Sequence, residues 1–301
     1  MRGGPFIPAI ETEDLAPVTE RQSPRTDLWR RLLRNNRLAV AGACVVLLFA
    51  GAALIGPFFV PHHYAHQNYD VIYQGPSSAH WLGTDALGRD ILSRLLQGAR
   101  VSLSVGVVTQ VIVLALGLTV GTVAALGGRL LDNLLMRLTD VAYAFPDLLF
   151  IILLRAVFGG SLLMIIFAIA LVQWTTIARL VRAQLLSLKE HDFALAARSL
   201  GANDVRIALR HLLPNCLGPV IVAVAFGVPQ AIFAEASLSF IGIGVAPPLP
   251  SWGSMVQDGY QAIFAYPHVV LAPTIAIAVV MLSFTFLSDG LRDALDPRIR
   301  H

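Results

Sequence analysis

Apolar residues in this chain fall in long blocks that carry few charges and are separated by polar links. A helix crossing a bilayer needs about 20 mostly apolar residues, because lipid offers no partner to an unpaired backbone amide. Residues 38–60 and 101–126 contain no charge at all, and 269–287 is interrupted only by Pro273. Residues 141–158 are apolar apart from Asp147 and Arg155. Residues 162–177 are shorter but extend at both ends, and 217–243 is long and holds Pro219, Pro229 and Glu235. The pattern predicts six spans. Between the fourth and fifth lies a polar segment, 189–215, whose small and Arg residues predict a helical hairpin. Gly201 sits where its first helix would end, since glycine tolerates the left-handed cap conformation. Asn203 or Asp204 can cap the second helix, and Pro214 is expected to interrupt the run before the next apolar block.

Composition agrees with the pattern. Of 301 residues, 56% are hydrophobic and 14% charged, where a soluble domain carries about 25% charged. The two cysteines, Cys44 and Cys216, lie at or near apolar blocks and form neither a disulfide framework nor a CxxC motif. Of the 22 Lys and Arg residues, all but Arg89, Arg94, Arg100 and Arg155 fall in the N-terminal tail, the 127–140 link, the 179–215 loop or the C-terminus. Positive charge collects in cytoplasmic loops. Six spans with both termini in the cytosol satisfy this bias and place the hairpin there too.

The resulting organisation is a cytosolic tail over 1–37, a first transmembrane helix over 38–60, an external loop over 61–100, a transmembrane core over 101–291 that includes the cytosolic loop 179–215, and a cytosolic tail over 292–301. The first tail is polar and holds four prolines, which predicts disorder. The first apolar run starts too late and is too long for a signal peptide. The external loop carries His62, His63, His66 and His80; such a cluster can hold metal, but a solvated loop is the commoner case and no HExxH spacing occurs.

The 189–215 segment resembles the cytoplasmic loop signature of permease subunits of binding-protein-dependent ABC importers. That pattern is Glu-Ala-Ala, three residues, Gly, nine residues, Ile, any residue, Leu-Pro. Ala196, Ala197, Gly201, Leu213 and Pro214 fall on it in register, while Leu195 replaces the Glu and His211 the Ile. Five further strings narrow the resemblance to the C-type subunit of the dipeptide/oligopeptide permease family. They are His80-Trp-Leu-Gly-Thr-Asp-Ala-Leu-Gly-Arg-Asp90, Ala144-Phe-Pro-Asp147, Glu235-Ala-Ser-Leu-Ser-Phe-Ile-Gly242, Pro250-Ser-Trp-Gly253 and Asp289-Gly-Leu-Arg-Asp-Ala-Leu-Asp-Pro-Arg298.

The resemblance implies an all-α polytopic membrane protein with about six transmembrane helices and the ABC type I importer permease (MetI-like) fold. It implies a second homologous permease subunit, two cytosolic ATP-binding subunits that hold ATP and Mg, and an extracellular or periplasmic solute-binding protein. The chain itself is expected to bind no cofactor or metal, no nucleic acid, and to sit in the inner membrane. It contains no GxxxxGK[ST] to cradle phosphates. The residues expected to couple to the ATPase are Ala194, Ala196, Ala197, Arg198, Gly201, Ala202, Asp204 and Pro214, the alanines letting a partner's backbone come close. Arg198 would pair with an acidic groove or stand solvated.

Ionisable groups in spans usually face a bundle interior or a water-filled path. Asp147, Gln173, Glu235 and Ser239 are the candidates for a translocation pathway, with internal pairing as the alternative for the carboxylates. For Asp140, an internal pair with Arg137 is the favoured reading. Trp174 is either a pathway residue or an interfacial anchor. Gly117 and Gly121 form a GxxxG suited to close helix packing. Within the importer class the solute is a peptide, nickel, glutathione or an oligosaccharide. A self-sufficient secondary transporter is the rival class. A membrane enzyme is disfavoured because no paired nucleophile and base is evident.

Overall fold

The computed structural model describes residues 36–295, so the expected N-terminal tail lies almost wholly outside it, while residues 292–295 of the expected C-terminal tail belong to the last helix. Ten α-helices make up most of these residues: α1 (Arg37–Ile55), α2 (Ile91–Leu126), α3 (Gly128–Ala144), α4 (Asp147–Phe158), α5 (Leu162–Leu188), α6 (Asp192–Ser199), α7 (Asp204–Ile207), α8 (Leu213–Phe240), α9 (Trp252–Gly259) and α10 (His268–Leu295). Five helical segments are long and apolar enough to cross a membrane, or six spans if the bent pair α3–α4 counts as one. The helices α2, α5 and α8 pack on one another, and α10 packs between α8 and α1.

The third expected span is not one helix. α3 and α4 meet at 88°. Phe145 is extended (φ −80°, ψ 136°) because the ring of Pro146 clashes with a helical residue before it. The apolar run is continuous through this break, so composition alone could not see it.

The second span also begins earlier than its apolar run. α2 starts at Ile91, inside the expected external loop, where the Asp90 carboxylate accepts the Ser93 amide at 2.8 Å. Its 36 residues span about 54 Å, longer than a hydrocarbon core of about 30 Å, so its polar first turns need no lipid-compatible surface. Arg94 and Arg100 lie in those turns. Arg100 donates to the Ala53 and Leu54 carbonyls at 2.5 and 2.7 Å, closing the C-terminus of α1.

Residues 61–90 form a folded cap rather than a solvated loop. Asp85 is 1% exposed and accepts the Leu87 and Arg89 amides at 2.8 and 3.0 Å. Its other oxygen meets Arg89 Nε at 2.7 Å and also pairs with Arg94. Both arginines reach Asp258 of α9, at 2.9 and 2.8 Å, and so fasten the cap to that helix. His80 is taken up by Asp90 at 2.9 Å, with His62 stacked on its ring, so the four histidines do not converge. Among the described residues no three His, Cys, Asp or Glu side chains gather around a metal-sized site.

α5 continues to Leu188, eleven residues past its apolar run. α8 shows the other departure. Pro214 does not interrupt the chain: it occupies the first turn of α8, where a missing N–H costs nothing. A π turn over Ala208–Leu212 carries α7 into α8 as one helical run. Gly117 and Gly121 both face α5. A β-carbon on Gly117 would stand 2.6 Å from that of Ile177.

Candidate functional site

Two regions carry the residues that the sequence points to: the hairpin between α5 and α8, and a cavity among α2, α3, α4, α5, α8 and α10.

The hairpin is short and closely determined. His191 precedes α6, and Leu200 and Gly201 end it, with Gly201 at φ 83° in the left-handed region. The Ala202 amide returns to the Ala197 carbonyl at 3.1 Å, a bond that closes a helix of this kind. Asn203, rather than Asp204, caps α7 by accepting the Arg206 amide at 2.8 Å. Arg198 meets Asp204 within the hairpin at 3.0 Å; the pair is exposed, and solvent screening leaves it little energetic weight.

Ala194 is buried, and Ala197 and Ala202 are half-buried, against Ile207, Leu212, Cys216, Val181 and Leu185. These three small residues therefore face inward and let the hairpin sit close to the ends of α5 and α8. Ala194 therefore has no free surface for a partner, contrary to its expected role, while Ala197 and Ala202 keep part of theirs. Ala196 alone of the alanines in α6 faces out. Lys189 donates to the Ala125 carbonyl at the end of α2, and Arg182 grips Asp132 of α3 with two bonds of 2.5 and 2.6 Å. The base of the hairpin is thus tied to α2 and α3.

Outward, the hairpin exposes large apolar side chains among charged ones. Leu195 is 47% exposed, Leu200 89% and Val205 62%. The surrounding Asp192, Arg198, Asp204 and Arg206 are exposed and charged. Large apolar side chains exposed among charges on a polar segment are the candidates for a protein contact. Sequence reasoning singled out the motif alanines and overlooked these larger side chains; their signal was apolar residues at positions that a solvated loop would fill with polar ones.

The cavity has a volume of about 730 Å³. Asp147, at the first residue of α4, and Gln173 of α5 line it, as do Tyr143, Gln230 and Phe233. Gln173 accepts from Gln110 of α2 at 2.6 Å, and the same Gln110 nitrogen donates to the Gly227 carbonyl at 3.0 Å. A β-carbon at Gly227 would stand 2.3 Å from the Gln110 amide oxygen, so glycine is what admits this tie between α2 and α8. Gln110 was passed over in the sequence, although it is a hydrogen-bonding side chain in an otherwise charge-free span. Asp140 is exposed and makes no ion pair with Arg137. Trp174 is buried in α5 and lies outside the lining.

Glu235 and Ser239 do not line the cavity. Glu235 is fully buried, and its carboxylate accepts Ser239 Oγ at 2.6 Å and Ser102 Oγ at 3.2 Å. Ser251 donates to Ser239 at 3.1 Å, and the Trp252 amide donates to Ser102 at 3.2 Å. Trp252 is itself fully buried, with its indole N–H on the Leu95 carbonyl at 3.0 Å. This network fastens α9 to α2 and α8. The carboxylate avoids lipid, as expected of one inside a span; its partners are the hydroxyl of Ser239, one turn on in the same helix, and that of Ser102 from α2, which no sequence spacing relates to it.

Residues 117–301 match the family described as binding-protein-dependent transport system inner membrane component, and residues 23–76 match the N-terminal TM domain of oligopeptide transport permease C. The chain is 40% identical over 288 residues to the glutathione transport system permease protein GsiD of Pectobacterium atrosepticum, covering 94% of this chain and 95% of that protein. It is 42% identical over 275 residues to the dipeptide transport system permease protein DppC of Bacillus subtilis, covering 91% and 86%. With the oligopeptide transport system permease protein OppC of the same organism it shares 40% identity over 298 residues, covering 98% and 97%. Among solved structures, a chain of the inward-facing MetNI methionine ABC transporter superimposes with a TM-score of 0.55 at 19% identity, covering 67% of this chain and 96% of that one.

Proposed function

This chain belongs to the family of binding-protein-dependent transport system inner membrane components, and from that premise we propose that it forms half of the translocation pathway of an ATP-driven importer for peptide solutes. As a member it is a multi-pass inner-membrane transport subunit of an ABC system and not itself an ATPase. The proposal adds the partners: a second, homologous permease subunit, two cytosolic subunits that bind ATP and Mg, and a solute-binding protein outside the membrane. It also adds the orientation, with both termini and the 189–215 hairpin in the cytosol. The bond from Asn36 to Asp293 at 3.1 Å, which joins the start of α1 to the end of α10, supports termini on one side.

The observation that carries this reading is the apolar face of Leu195, Leu200 and Val205 on a hairpin braced against α2, α3, α5 and α8. Such a face suits a groove on an ATP-binding subunit. Its inward alanines suit transmission of a push, because a closely packed hairpin moves with the helices it touches. Reversing a two-state equilibrium from 1:99 to 99:1 takes roughly 5.5 kcal/mol. Closure of the ATP-binding subunits around nucleotide is a source of that size; an exposed ion pair, at about 0–1 kcal/mol, is not. Dipeptides, oligopeptides and glutathione, the solutes in the names of the relatives, are all peptides, and the cavity with its polar Gln173, Gln230 and Asp147 offers a passage for them.

The test is to co-express the chain with its neighbouring permease, ATP-binding and solute-binding genes, reconstitute the purified complex in proteoliposomes and measure uptake of labelled dipeptides. Uptake that requires ATP and the solute-binding protein is the expected result. Uptake by this chain alone, or uptake unaffected by loss of the ATP-binding subunits, would falsify the proposal.

A further inference from the structure

The geometry points to Asp147 as a charge filter of the cavity, one that favours the passage of positively charged groups of the solute over negatively charged ones. The inference rests on the reading of the cavity as the solute pathway and deepens it by naming the charge class that the pathway accepts.

Among the described residues Asp147 is the sole carboxylate in the lining, and no Lys, Arg or His lines the cavity with it. It is exposed to the cavity and makes no ion pair among the described residues. Arg179 stacks on the lining residue Tyr143, its guanidinium 4.1 Å from the ring centre, and is not itself part of the wall. Two features hold the Asp147 carboxylate in place. It stands on the first residue of α4, where the free amides of the helix start favour a negative charge. It also follows directly on the break at Phe145–Pro146, so the 88° turn between α3 and α4 is what turns this end of α4 onto the cavity. The remaining polar side chains of the wall are amides and hydroxyls, Gln173, Gln230 and Ser237 among them, which both donate and accept and so meet either sign of charge. Net preference therefore follows from the one unpaired carboxylate.

The test uses the complete reconstituted complex with its solute-binding protein and two probes of similar size, alanyl-lysine and alanyl-glutamate. A hydrogen bond between charged groups that is lost in the variant should lower the uptake ratio of alanyl-lysine to alanyl-glutamate about tenfold in Asp147→Asn. Asp147→Glu should keep the ratio near that of the unaltered complex. A merely structural role would lower both rates together and leave the ratio unchanged, and that result overturns the inference. So does an unaltered complex that imports alanyl-glutamate and not alanyl-lysine. If the unaltered complex imports neither probe, the peptide reading itself fails, and the charge filter falls with it; this outcome is separate from an intact importer with an unchanged ratio.

Discussion

Gly121 of α2 lies so close to Ala178 of α5 that a β-carbon on the glycine would stand 2.5 Å from the alanine carbonyl oxygen. With Gly117 one turn earlier, it lets the two helices touch backbone to backbone, and the Gln110–Gln173 bond joins the same pair further along. Gly121→Leu forces side-chain volume against a main chain that cannot move aside. Overpacking of this kind costs about 1–3 kcal/mol. The expected outcome is a lower thermal unfolding midpoint of the purified complex and loss of a single peak in size-exclusion chromatography.

Removing the Glu235 carboxylate strands the hydroxyls of Ser102 and Ser239 in a dry interior. Each orphaned buried group costs about 1–3 kcal/mol. Glu235→Leu should therefore lower the unfolding midpoint clearly. Glu235→Gln, which keeps an acceptor oxygen and the shape, should lower it less. Equal midpoints for the two variants would show that the hydroxyls find other partners.

Arg94 holds the cap to α9 through Asp85 and Asp258, and it is 4% exposed. Arg94→Ala leaves the buried Asp85 with Arg89 alone. Removing one partner of a buried pair costs about 3–5 kcal/mol. The variant should expose residues 61–90 to limited proteolysis under conditions where the unaltered protein resists. Raised salt should not reproduce the effect, because buried pairs are weakly screened.

Leu200 is 89% exposed and supports no packing in the hairpin. Leu200→Asp should leave membrane insertion and stability unchanged, yet reduce ATP-dependent uptake by about tenfold or more if the lost apolar contact is worth about 1.4 kcal/mol. Uptake and co-purification of the ATP-binding subunits are the two readouts. Gly201→Val is expected to act by another route, since φ 83° strains a branched residue and reshapes the hairpin itself.

The hairpin shows how far the sequence carries. Gly201, Asn203 and the length of α6 follow from local chemistry: a left-handed cap, a side chain that accepts an amide, and alanines that favour helix. Which alanines face out does not follow, because inward and outward positions depend on where α5 and α8 stand. The same division separates Asp147 from Glu235. Both read as carboxylates that must avoid lipid, but one lies at a helix break that opens on the cavity and the other is enclosed by Ser239 one turn away and by Ser102 from a distant segment.

The sequence by itself determined the membrane-spanning class, the gathering of basic residues in the tails and in two of the links, the family and the site of the hairpin. These rest on apolar length, on residue type and on short-range spacing, all of which are properties of a line of residues. Only the tertiary structure decided that the third apolar block bends at Pro146, that residues 61–90 fold into a cap on α9, and that Glu235 serves packing while Asp147 and Gln173 meet at one cavity. The cap and the burial of Glu235 depend on contacts between segments 100 or more residues apart, such as Arg94 with Asp258 and Ser102 with Glu235. Apolar patterning selects burial from water; it does not say which buried neighbour a side chain will find.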